Sequence, residues 1–213
     1  MRAFQMFGRY SGRDQGRLVF DRRKIPLLIG IAVLGPLFIL STPLWAEGLQ
    51  RAIQILGICA IVVCIIGRTW CSSFITGHKT YELMKVGPYS VIRHPLYAFS
   101  IIGAAGVGAQ SGTVSLAAIS GVYLAIVLHR RILDEEREMI RIHGDAYRAY
   151  MTQVPRLLPR MAPWRPAGKH APGRQAVLRT FIDSCYLLLA IPFAEILQHL
   201  QRGGSLHAVL WLP

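Results

Sequence analysis

The sequence predicts an all-α, polytopic membrane helix bundle with about five transmembrane helices and a tight helical hairpin at its centre. Apolar residues make up 53% of the 213 residues and charged residues only 16%, whereas a soluble domain has about 25% charged residues. The charges are separated by apolar runs close to the roughly 20 residues that a helix needs to cross the hydrocarbon. Lys and Arg are concentrated in a few connecting segments, as they are on the cytoplasmic side of membrane proteins.

Two apolar runs within residues 25–67 predict the first two spans. The first extends from Ile25 to Ala46 without a charged residue and is long enough to cross the hydrocarbon. The second, from Ala52 to Gly67, is shorter, but residues 69–74 can extend it past Arg68. A long arginine side chain near a helix end can reach the interface, so Arg68 does not exclude a second span.

The longest charge-free run predicts the central hairpin. Between Pro95 and His129 there is no Asp, Glu, Lys or Arg, and one helix of that length would measure about 50 Å against a hydrocarbon thickness of about 30 Å. The polar, glycine-containing segment Gln110–Thr113 marks the break. We therefore expect two packed helices, 95–109 and 114–128, and the Gly and Ala residues of the first favour close packing.

The last apolar run, from Leu178 to Leu200, follows a basic linker that begins near residue 160. It contains Asp183 and Glu195, and carboxylates are costly inside a bilayer. We expect a C-terminal apolar helix that crosses the membrane, with an interfacial or re-entrant helix as the alternatives.

The distribution of basic residues predicts the orientation of the bundle. Of the 24 Lys and Arg residues, 22 lie in three segments: seven in residues 1–24, four in 68–93 and eleven in 130–179. These segments are therefore expected in the cytoplasm, with residues 1–24 as an uncleaved basic segment rather than a signal peptide. For a bacterial chain the membrane would be the inner one. The same pattern accounts for the net charge of +13 through contact with membrane lipids, so no nucleic-acid partner is expected.

The four cysteines predict neither a metal centre nor a disulfide framework. None of them forms a Cys-x-x-Cys pair, and three lie in apolar runs, where free cysteines act as small buried hydrophobes. Zinc sites and disulfide-rich domains need spacings that this sequence lacks.

Two polar segments carry the candidate chemistry. Pro95 suits the first turn of a helix, so Arg93, His94 and Tyr97 are expected at a helix N-terminus, which can hold an anionic group. The hairpin returns the second segment, residues 130–138, to the same membrane face. A solvated helix with i,i+4 salt bridges is the simpler interpretation of that segment. The functional hypothesis is one pocket formed by both segments.

Short motifs occur in a fixed order within residues 68–159, the candidate catalytic core. They are Gly87-Pro88-Tyr89, Arg93-His94-Pro95-Leu96-Tyr97, Glu135-Glu136, His143-Gly144 followed by Tyr147 and Tyr150, and Val154-Pro155-Arg156. In this order they resemble the pattern of the isoprenylcysteine carboxyl methyltransferase and phospholipid methyltransferase group of integral membrane enzymes. His143 stands where the family often has Phe, and Ala98 where many members have Gly.

The resemblance implies a methyltransferase that uses S-adenosylmethionine and binds it on the cytoplasmic side. No Gly-x-Gly-x-x-Gly turn follows a strand, so a Rossmann-type domain is not expected. Arg131, Glu136 and His94 become candidates for a direct part in the transfer, Glu136 or His94 as the base if an amine is methylated. The implied cofactor contacts are Tyr81, Glu82, Leu83, Met84, Tyr89, His94, Pro95, Leu96, Tyr97, Arg131 and Glu135.

The resemblance also implies a lipophilic methyl acceptor, lipid-like or of the prenylcysteine type. Either a carboxylate oxygen or an amine nitrogen could be methylated, and in a bacterium a phospholipid or small apolar acceptor is favoured over a prenylated protein. The alternative from another class is a small polytopic membrane transporter or a scaffold protein without catalysis. Transporters usually place polar groups at the midplane, whereas the predicted hairpin contains no charge, which disfavours transport.

Overall fold

A computed structural model describes residues 25–75, 83–159, 164–166, 174–203 and 210–212. Within these residues the chain is almost entirely helical, as predicted, with two strands of three residues each. The elements, in chain order, are α1 (Ile25–Leu40), β1 (Ser41–Pro43), α2 (Glu47–Ile75), a 3₁₀ turn (Gly87–Ser90), α3 (Pro95–Ala109), α4 (Val114–His143), α5 (Asp145–Gln153), α6 (Arg174–Cys185), a second 3₁₀ turn (Tyr186–Leu189), α7 (Ala190–Arg202) and β2 (Leu210–Leu212).

The described residues contain five apolar helical segments, and their lengths differ. Among the described helices, three runs are long and apolar enough to cross a bilayer: α2, α4 and the run from Arg174 to Arg202 that contains α6 and α7. The other two, α1 and α3, are shorter. Large apolar side chains cover the outside, for example Leu56 (68% exposed) and Ile66 (64% exposed), and such a surface belongs in lipid. The predicted all-α membrane bundle is confirmed, and the chain is an integral membrane protein.

The first apolar run is not helical as far as Ala46, contrary to the sequence prediction. α1 ends at Leu40, β1 follows, and α2 begins at Glu47. β1 pairs in parallel with β2, with Ser41 opposite Leu210. Strands of three residues are too short to show an alternating pattern, so the sequence contains no signal for this pairing.

The central hairpin has the predicted boundaries. α3 covers residues 95–109, the turn covers 110–113, and α4 starts at residue 114. Gly112 in the turn has a φ of +81°, a left-handed conformation that costs glycine little. The Thr113 hydroxyl accepts a hydrogen bond from the backbone N–H of Leu116 at 3.3 Å, which caps the start of α4.

The second helix of the hairpin is longer than the predicted 114–128. α4 continues without a break to His143, and its 30 residues rise about 45 Å. Its first half is free of charge, and its second half carries all of its charged residues. Because one continuous helix joins the two halves, the hairpin fixes the position of Arg131, Glu135 and Glu136.

Glycines bring α2 and α3 into close contact. A Cβ atom on Gly57 would lie 2.8 Å from the backbone oxygen of Gly106, and a Cβ on Gly106 would lie 2.7 Å from the backbone oxygen of Gly57. Small residues permit such an approach between membrane helices, as the Gly-rich composition of the first arm predicts. Near the hairpin turn, Gln54 and Gln110 each donate from Nε2 to the other's backbone oxygen, at 3.1 and 3.2 Å.

The bundle has two chemically different ends. The turn end contains residues 110–113, β1 and β2. The charged end contains residues 83–94 and 129–159. Gln198 of α7 belongs to the turn end, because its Nε2 donates to the backbone oxygen of Gln110 at 3.3 Å. The last helical run has 29 residues and rises about 43 Å, so it has the length expected for a helix that crosses the membrane.

Candidate active site

Residues 83–94 approach the bundle through a buried turn. Gly87 has a φ of +60°, and a Cβ at this position would collide with the ring of Phe74, so only glycine fits. From the other side, the Tyr150 hydroxyl donates to the backbone oxygen of Tyr89 at 2.6 Å. The Gly-Pro-Tyr motif therefore fixes the path of the chain into α3.

Two motifs that are distant in sequence pair through their backbones at the start of α3. The N–H of Arg93 donates to the carbonyl of Pro155 at 2.8 Å, and the N–H of His94 donates to the carbonyl of Arg156 at 3.1 Å. The Val-Pro-Arg loop after α5 thus lies along the Arg-His-Pro segment. This pairing brings the side chains of Arg93, His94 and Arg156 to the same region of α4.

Glu136 of α4 is the centre of a buried ion-pair cluster. Its side chain is 4% exposed, and that of Arg93 is 8% exposed. Nη1 of Arg93 lies 2.9 Å from Oε1 of Glu136, so the two form an ion pair, although the angles are not those of a hydrogen bond. On the other side, Arg156 donates to both oxygens, from Nη2 to Oε2 at 2.8 Å and from Nε to Oε1 at 3.1 Å. With both oxygens engaged, Glu136 is better suited to holding this cluster together than to accepting a proton. Its role as a base stays a prediction.

His94 lies between the two neighbouring carboxylates of the Glu-Glu motif. Its Nδ1 is 3.6 Å from Glu135 Oε2 and its Nε2 is 3.4 Å from Glu136 Oε1. Burial lowers the pKa of His94, and the attraction of the Glu136 carboxylate offsets this only in part. The neutral imidazole is therefore the dominant form at pH 7.

A second polar cluster, formed by Tyr97, Arg131 and Glu135, lies next to the first. The Tyr97 hydroxyl donates to Glu135 Oε1 and so joins the first turn of α3 to α4, and the Tyr97 ring stacks on that of His94 with 5.8 Å between centroids. The charge of Arg131 acts on both Tyr97 and Glu135. The Glu135 side chain is 28% exposed, so part of it is open to a ligand.

Tyr89 contributes a buried hydroxyl that has no hydrogen-bond partner among the described residues. The residue is 7% exposed, and burial raises its pKa well above the usual value, so the hydroxyl is a neutral donor at pH 7. A buried polar group without a partner costs about 1–3 kcal/mol. A ligand that accepts a hydrogen bond here would recover that cost.

The structure brings most of the predicted site residues together and separates a few from them. Leu83 packs against the small apolar core under α5 rather than facing the polar clusters. Met84 and Leu96 are half-buried. Tyr81 and Glu82 lie outside the described residues. The residues brought together at the charged end are Tyr89, His94, Pro95, Tyr97, Arg131, Glu135 and Glu136.

Arg156 is the functional candidate that sequence reasoning missed. It lies 20 residues after Glu136, so no helical spacing relates the two. Its position directly after the Val-Pro motif is the signal that could have found it. Arg93 was expected near the site, but its buried ion pair with Glu136 was not.

A shallow depression of about 380 Å³ lies beside the clusters, at residues 151–155, Leu158 and Pro159. None of the predicted cofactor contacts lines it. We do not assign the cofactor to it, because the charged and hydrogen-bonding groups converge on Glu135 and Glu136 instead.

Comparisons with known proteins support the motif-based resemblance. Residues 51–141 match the family model described as the isoprenylcysteine carboxyl methyltransferase (ICMT) family. The chain is 26% identical to the nickel-cobalt-cadmium resistance protein NccN of Alcaligenes xylosoxydans xylosoxydans over 168 residues, 78% of this chain and 74% of the relative. It is 27% identical to the cobalt-zinc-cadmium resistance protein CzcN of Cupriavidus metallidurans over 157 residues, 74% and 72% of the two chains. No solved structure matches the chain significantly.

The matched segment contains most of α2, the whole hairpin and the Glu135-Glu136 pair. It therefore includes both sides of the Tyr97–Glu135 hydrogen bond. Over residues 51–141 this chain is thus similar to the isoprenylcysteine carboxyl methyltransferase family.

Proposed function

We propose that the protein is an S-adenosylmethionine-dependent membrane methyltransferase that acts on a lipid-like acceptor. The observation that carries the proposal is the hydrogen bond from Tyr97 to Glu135. It joins the Arg-His-Pro-x-Tyr motif to the Glu-Glu motif inside the family segment, although 38 residues separate the two side chains. Two of the five motifs that carry the resemblance thus form one polar site at the charged end.

The described side chains fit this cofactor. Glu135 can accept hydrogen bonds from an amine or from ribose hydroxyls, and Arg131 can pair with a carboxylate. The rings of Tyr89 and Tyr97 can pack on adenine, and the Tyr89 hydroxyl, which has no partner within the described part of the chain, offers a donor. When bound, S-adenosylmethionine supplies an electrophilic methyl group. The task of the chain is then to align the acceptor with that group.

We propose further that the site faces the cytoplasm and receives its acceptor from the bilayer. The positive-inside rule supports the orientation, since 22 of the 24 Lys and Arg residues fall in the segments assigned to that side. His94 and Tyr97 lie at the first turn of an apolar helix, so the site begins where the hydrocarbon ends. A lipid-like acceptor would reach it while its apolar tail stays in the membrane.

The names of the two relatives refer to resistance to nickel, cobalt, cadmium or zinc. Among the described residues, no group of three or more His, Cys, Asp or Glu side chains comes together as a cation site. If this chain serves a similar process, we propose that it does so by methylating a membrane component. The family segment and the polar clusters support chemistry of that kind.

Calorimetric titration of the purified full-length protein with S-adenosylmethionine tests the proposal. Glu135→Ala should weaken binding roughly 10- to 150-fold, because a charge-assisted hydrogen bond contributes about 1.5–3 kcal/mol. Asp134→Ala is the matched control: this carboxylate is 75% exposed and pairs with Arg137, so its loss should change the affinity less than twofold. Lack of binding to the wild-type protein would overturn the proposal and favour a transporter or scaffold. Equal losses in both variants would indicate a general charge effect.

A second assay tests the acceptor class. The protein is incubated with methyl-labelled cofactor and either membrane lipid extract or water-soluble metabolites. We expect label in the lipid fraction, lost in Glu135→Ala and kept in Asp134→Ala. Label in the soluble fraction alone would contradict access from the bilayer while leaving methyl transfer in place.

A further inference from the structure

The four tryptophans of the chain lie at the two ends of the bundle. Trp45 comes between β1 and α2, and Trp211 lies in β2, so both belong to the turn end. Trp70, near the end of α2, and Trp164 lie together at the charged end. All four are exposed. Tryptophan is enriched at both membrane–water interfaces, where its amphipathic ring sits at the level of the headgroups, and this distribution matches one such belt at each end.

Trp164 is the unexpected member of the belt, because it belongs to the basic linker and not to a helix. Its ring stacks on that of Trp70, with 5.9 Å between centroids and 1° between planes. On α2, Gly67 lies against Phe99 of α3, and Phe74 lies against the Gly-Pro-Tyr turn. Trp70 is between these two contacts, at the level where α3 begins. The stacked pair is therefore at the edge of the hydrocarbon, and half of the Trp164 surface (50%) stays open.

The backbone next to Trp164 is tied to the Gly-Pro-Tyr turn. The N–H of Gly87 donates to the carbonyl of Arg165 at 2.8 Å, and the N–H of Arg165 donates to the Ser90 hydroxyl at 3.2 Å. These two bonds hold residues 164–166 against the buried turn that carries Tyr89. The segment thus connects the headgroup level directly with a motif of the candidate active site.

The charge of this part of the molecule is not compensated from within. The exposed Arg165 donates from Nη2 to Gln153 Oε1 at 3.2 Å, which is a neutral partner. Arg174 and Arg179 of α6 are exposed as well, and no carboxylate of the described residues forms an ion pair with any of the three arginines. Residues 146–182 contain seven Lys and Arg and no Asp or Glu. The charge complement is therefore an anion from outside the chain.

We propose that Trp70, Trp164 and Arg165 form a docking surface for an anionic phospholipid, and that the bound lipid holds residues 164–166 on the Gly-Pro-Tyr turn. The indole pair fixes the surface at the depth of the headgroups. The guanidinium has N–H groups beyond the one that Gln153 accepts, and a phosphate can accept them. Basic segments next to a membrane span are attracted to anionic headgroups. The surface does not depend on which reaction the neighbouring site performs.

Quenching of tryptophan fluorescence by brominated lipids tests the surface in the full chain. Trp45→Phe with Trp211→Phe leaves the charged-end pair as the only fluorophores. This protein is reconstituted in phosphatidylcholine vesicles that contain increasing fractions of brominated phosphatidylcholine or brominated phosphatidylglycerol. We expect a relative affinity roughly fivefold higher for phosphatidylglycerol, the effect of one basic residue near an anionic surface. Trp70→Phe with Trp164→Phe reports the turn end and should show no preference.

Two arginine variants assign the preference. In the protein with the charged-end pair, Arg165→Gln should abolish it. Arg148→Gln removes the same charge from α5 at the same end, but Arg148 is 68% exposed and pairs with Asp145, so the preference should remain. Equal quenching by the two lipids with Arg165 in place would overturn the proposal. Lack of quenching by either lipid would also overturn it, since the pair would then lie outside the bilayer and favour an acidic soluble partner.

Hydrogen exchange at the Gly87 amide tests whether the lipid holds the segment. Because this N–H donates to Arg165, its exchange should slow severalfold when phosphatidylglycerol is added to phosphatidylcholine nanodiscs. Arg165→Gln should remove the effect, and Arg148→Gln should keep it. An exchange rate that does not respond to phosphatidylglycerol would overturn the link between the lipid and the turn. The measurement needs no cofactor, so its result is independent of the proposed methyltransferase function.

Discussion

Arg156 binds both carboxylate oxygens of Glu136, with 2.8 Å from Nη2 to Oε2 and 3.1 Å from Nε to Oε1. The contact joins the loop after α5 to the charged half of α4. On the opposite side of the same carboxylate lies Arg93, whose backbone is paired with Pro155. Glu136 therefore holds together three chain segments that surround the site.

Replacement of Glu136 should be strongly destabilising. Glu136→Gln removes the negative charge and leaves the buried guanidinium of Arg93 without compensation, a change that costs roughly 3–5 kcal/mol. Arg156→Gln should cost less, about 1–2 kcal/mol, because Arg156 is 40% exposed and the pair with Arg93 remains. Thermal unfolding in detergent, followed by tryptophan fluorescence, measures both.

A surface pair on the same helix is the control for this prediction. Arg137 and Asp134 are each 75% exposed, so Arg137→Gln should change the free energy of unfolding by less than about 1 kcal/mol. A Glu136→Gln protein as stable as the Arg137→Gln protein would show that the cluster does not hold the charged end together.

The hairpin could be predicted from the sequence, because two local signals define it. The absence of charge from Pro95 to His129 requires a return inside the membrane, and the polar residues 110–113 identify where. The position of Arg131 and Glu135 on one face of a helix could also be predicted, because residues four apart share a face. In each case the information lies within one helix or one turn.

The Glu136 cluster and the β1–β2 pairing could not be predicted in this way. Arg93 and Arg156 reach Glu136 because backbone hydrogen bonds align two loops, and no spacing along the chain encodes that alignment. The pairing of Ser41 with Leu210 joins segments at opposite ends of the chain. The continuation of α4 past residue 128 was missed because its polar half was interpreted as a separate segment.

Stability should fall at mildly acidic pH because of His94. Burial, opposed in part by Glu136, lowers the pKa of His94 below its ordinary value of 6.5, so the folded state binds fewer protons here than the unfolded state. The stability that depends on a neutral His94 is fully present above about pH 6.5, and it is lost as the pH falls through the lowered pKa of His94 in the folded state. Melting temperatures measured between pH 5 and 7.5 should decrease toward pH 5.

Variants of two histidines test whether His94 causes this pH dependence. His94→Asn should flatten the decrease, because the asparagine does not titrate. His129→Asn changes a histidine that is exposed on α4 and should leave the decrease as in the wild type. An unchanged slope in His94→Asn would assign the acid sensitivity to other groups.

The α2–α3 contact should not tolerate a single methyl group at Gly106. A Cβ added at this position would lie 2.7 Å from the backbone oxygen of Gly57 and 3.0 Å from Ile61. The backbone of Gly57 cannot rotate away as a side chain can. Gly106→Ala should therefore destabilise by about 1–3 kcal/mol, as overpacked cores do. Gly35→Ala is the control, because nothing lies within 4 Å of its Cβ and alanine favours the helix by roughly 0.5–1 kcal/mol. Melting temperatures below the wild type for Gly106→Ala and at or above it for Gly35→Ala are expected, and the reverse order would contradict the close packing.

The charged end should face the cytoplasm. Two residues suit labelling on a background in which the native cysteines are replaced: Gly48 is exposed at the start of α2, close to β1 of the turn end, and Ala149 is exposed on α5 at the charged end. Gln198 contacts the backbone of Gln110, so the last helical run ends on the same side of the bundle as the hairpin turn. A membrane-impermeant maleimide added to intact cells should label Gly48→Cys, whereas Ala149→Cys should react only after permeabilisation, because the basic residues favour the cytoplasmic side. Labelling of Ala149→Cys in intact cells would invert the bundle and place the site away from the cytoplasmic supply of a soluble, charged cofactor.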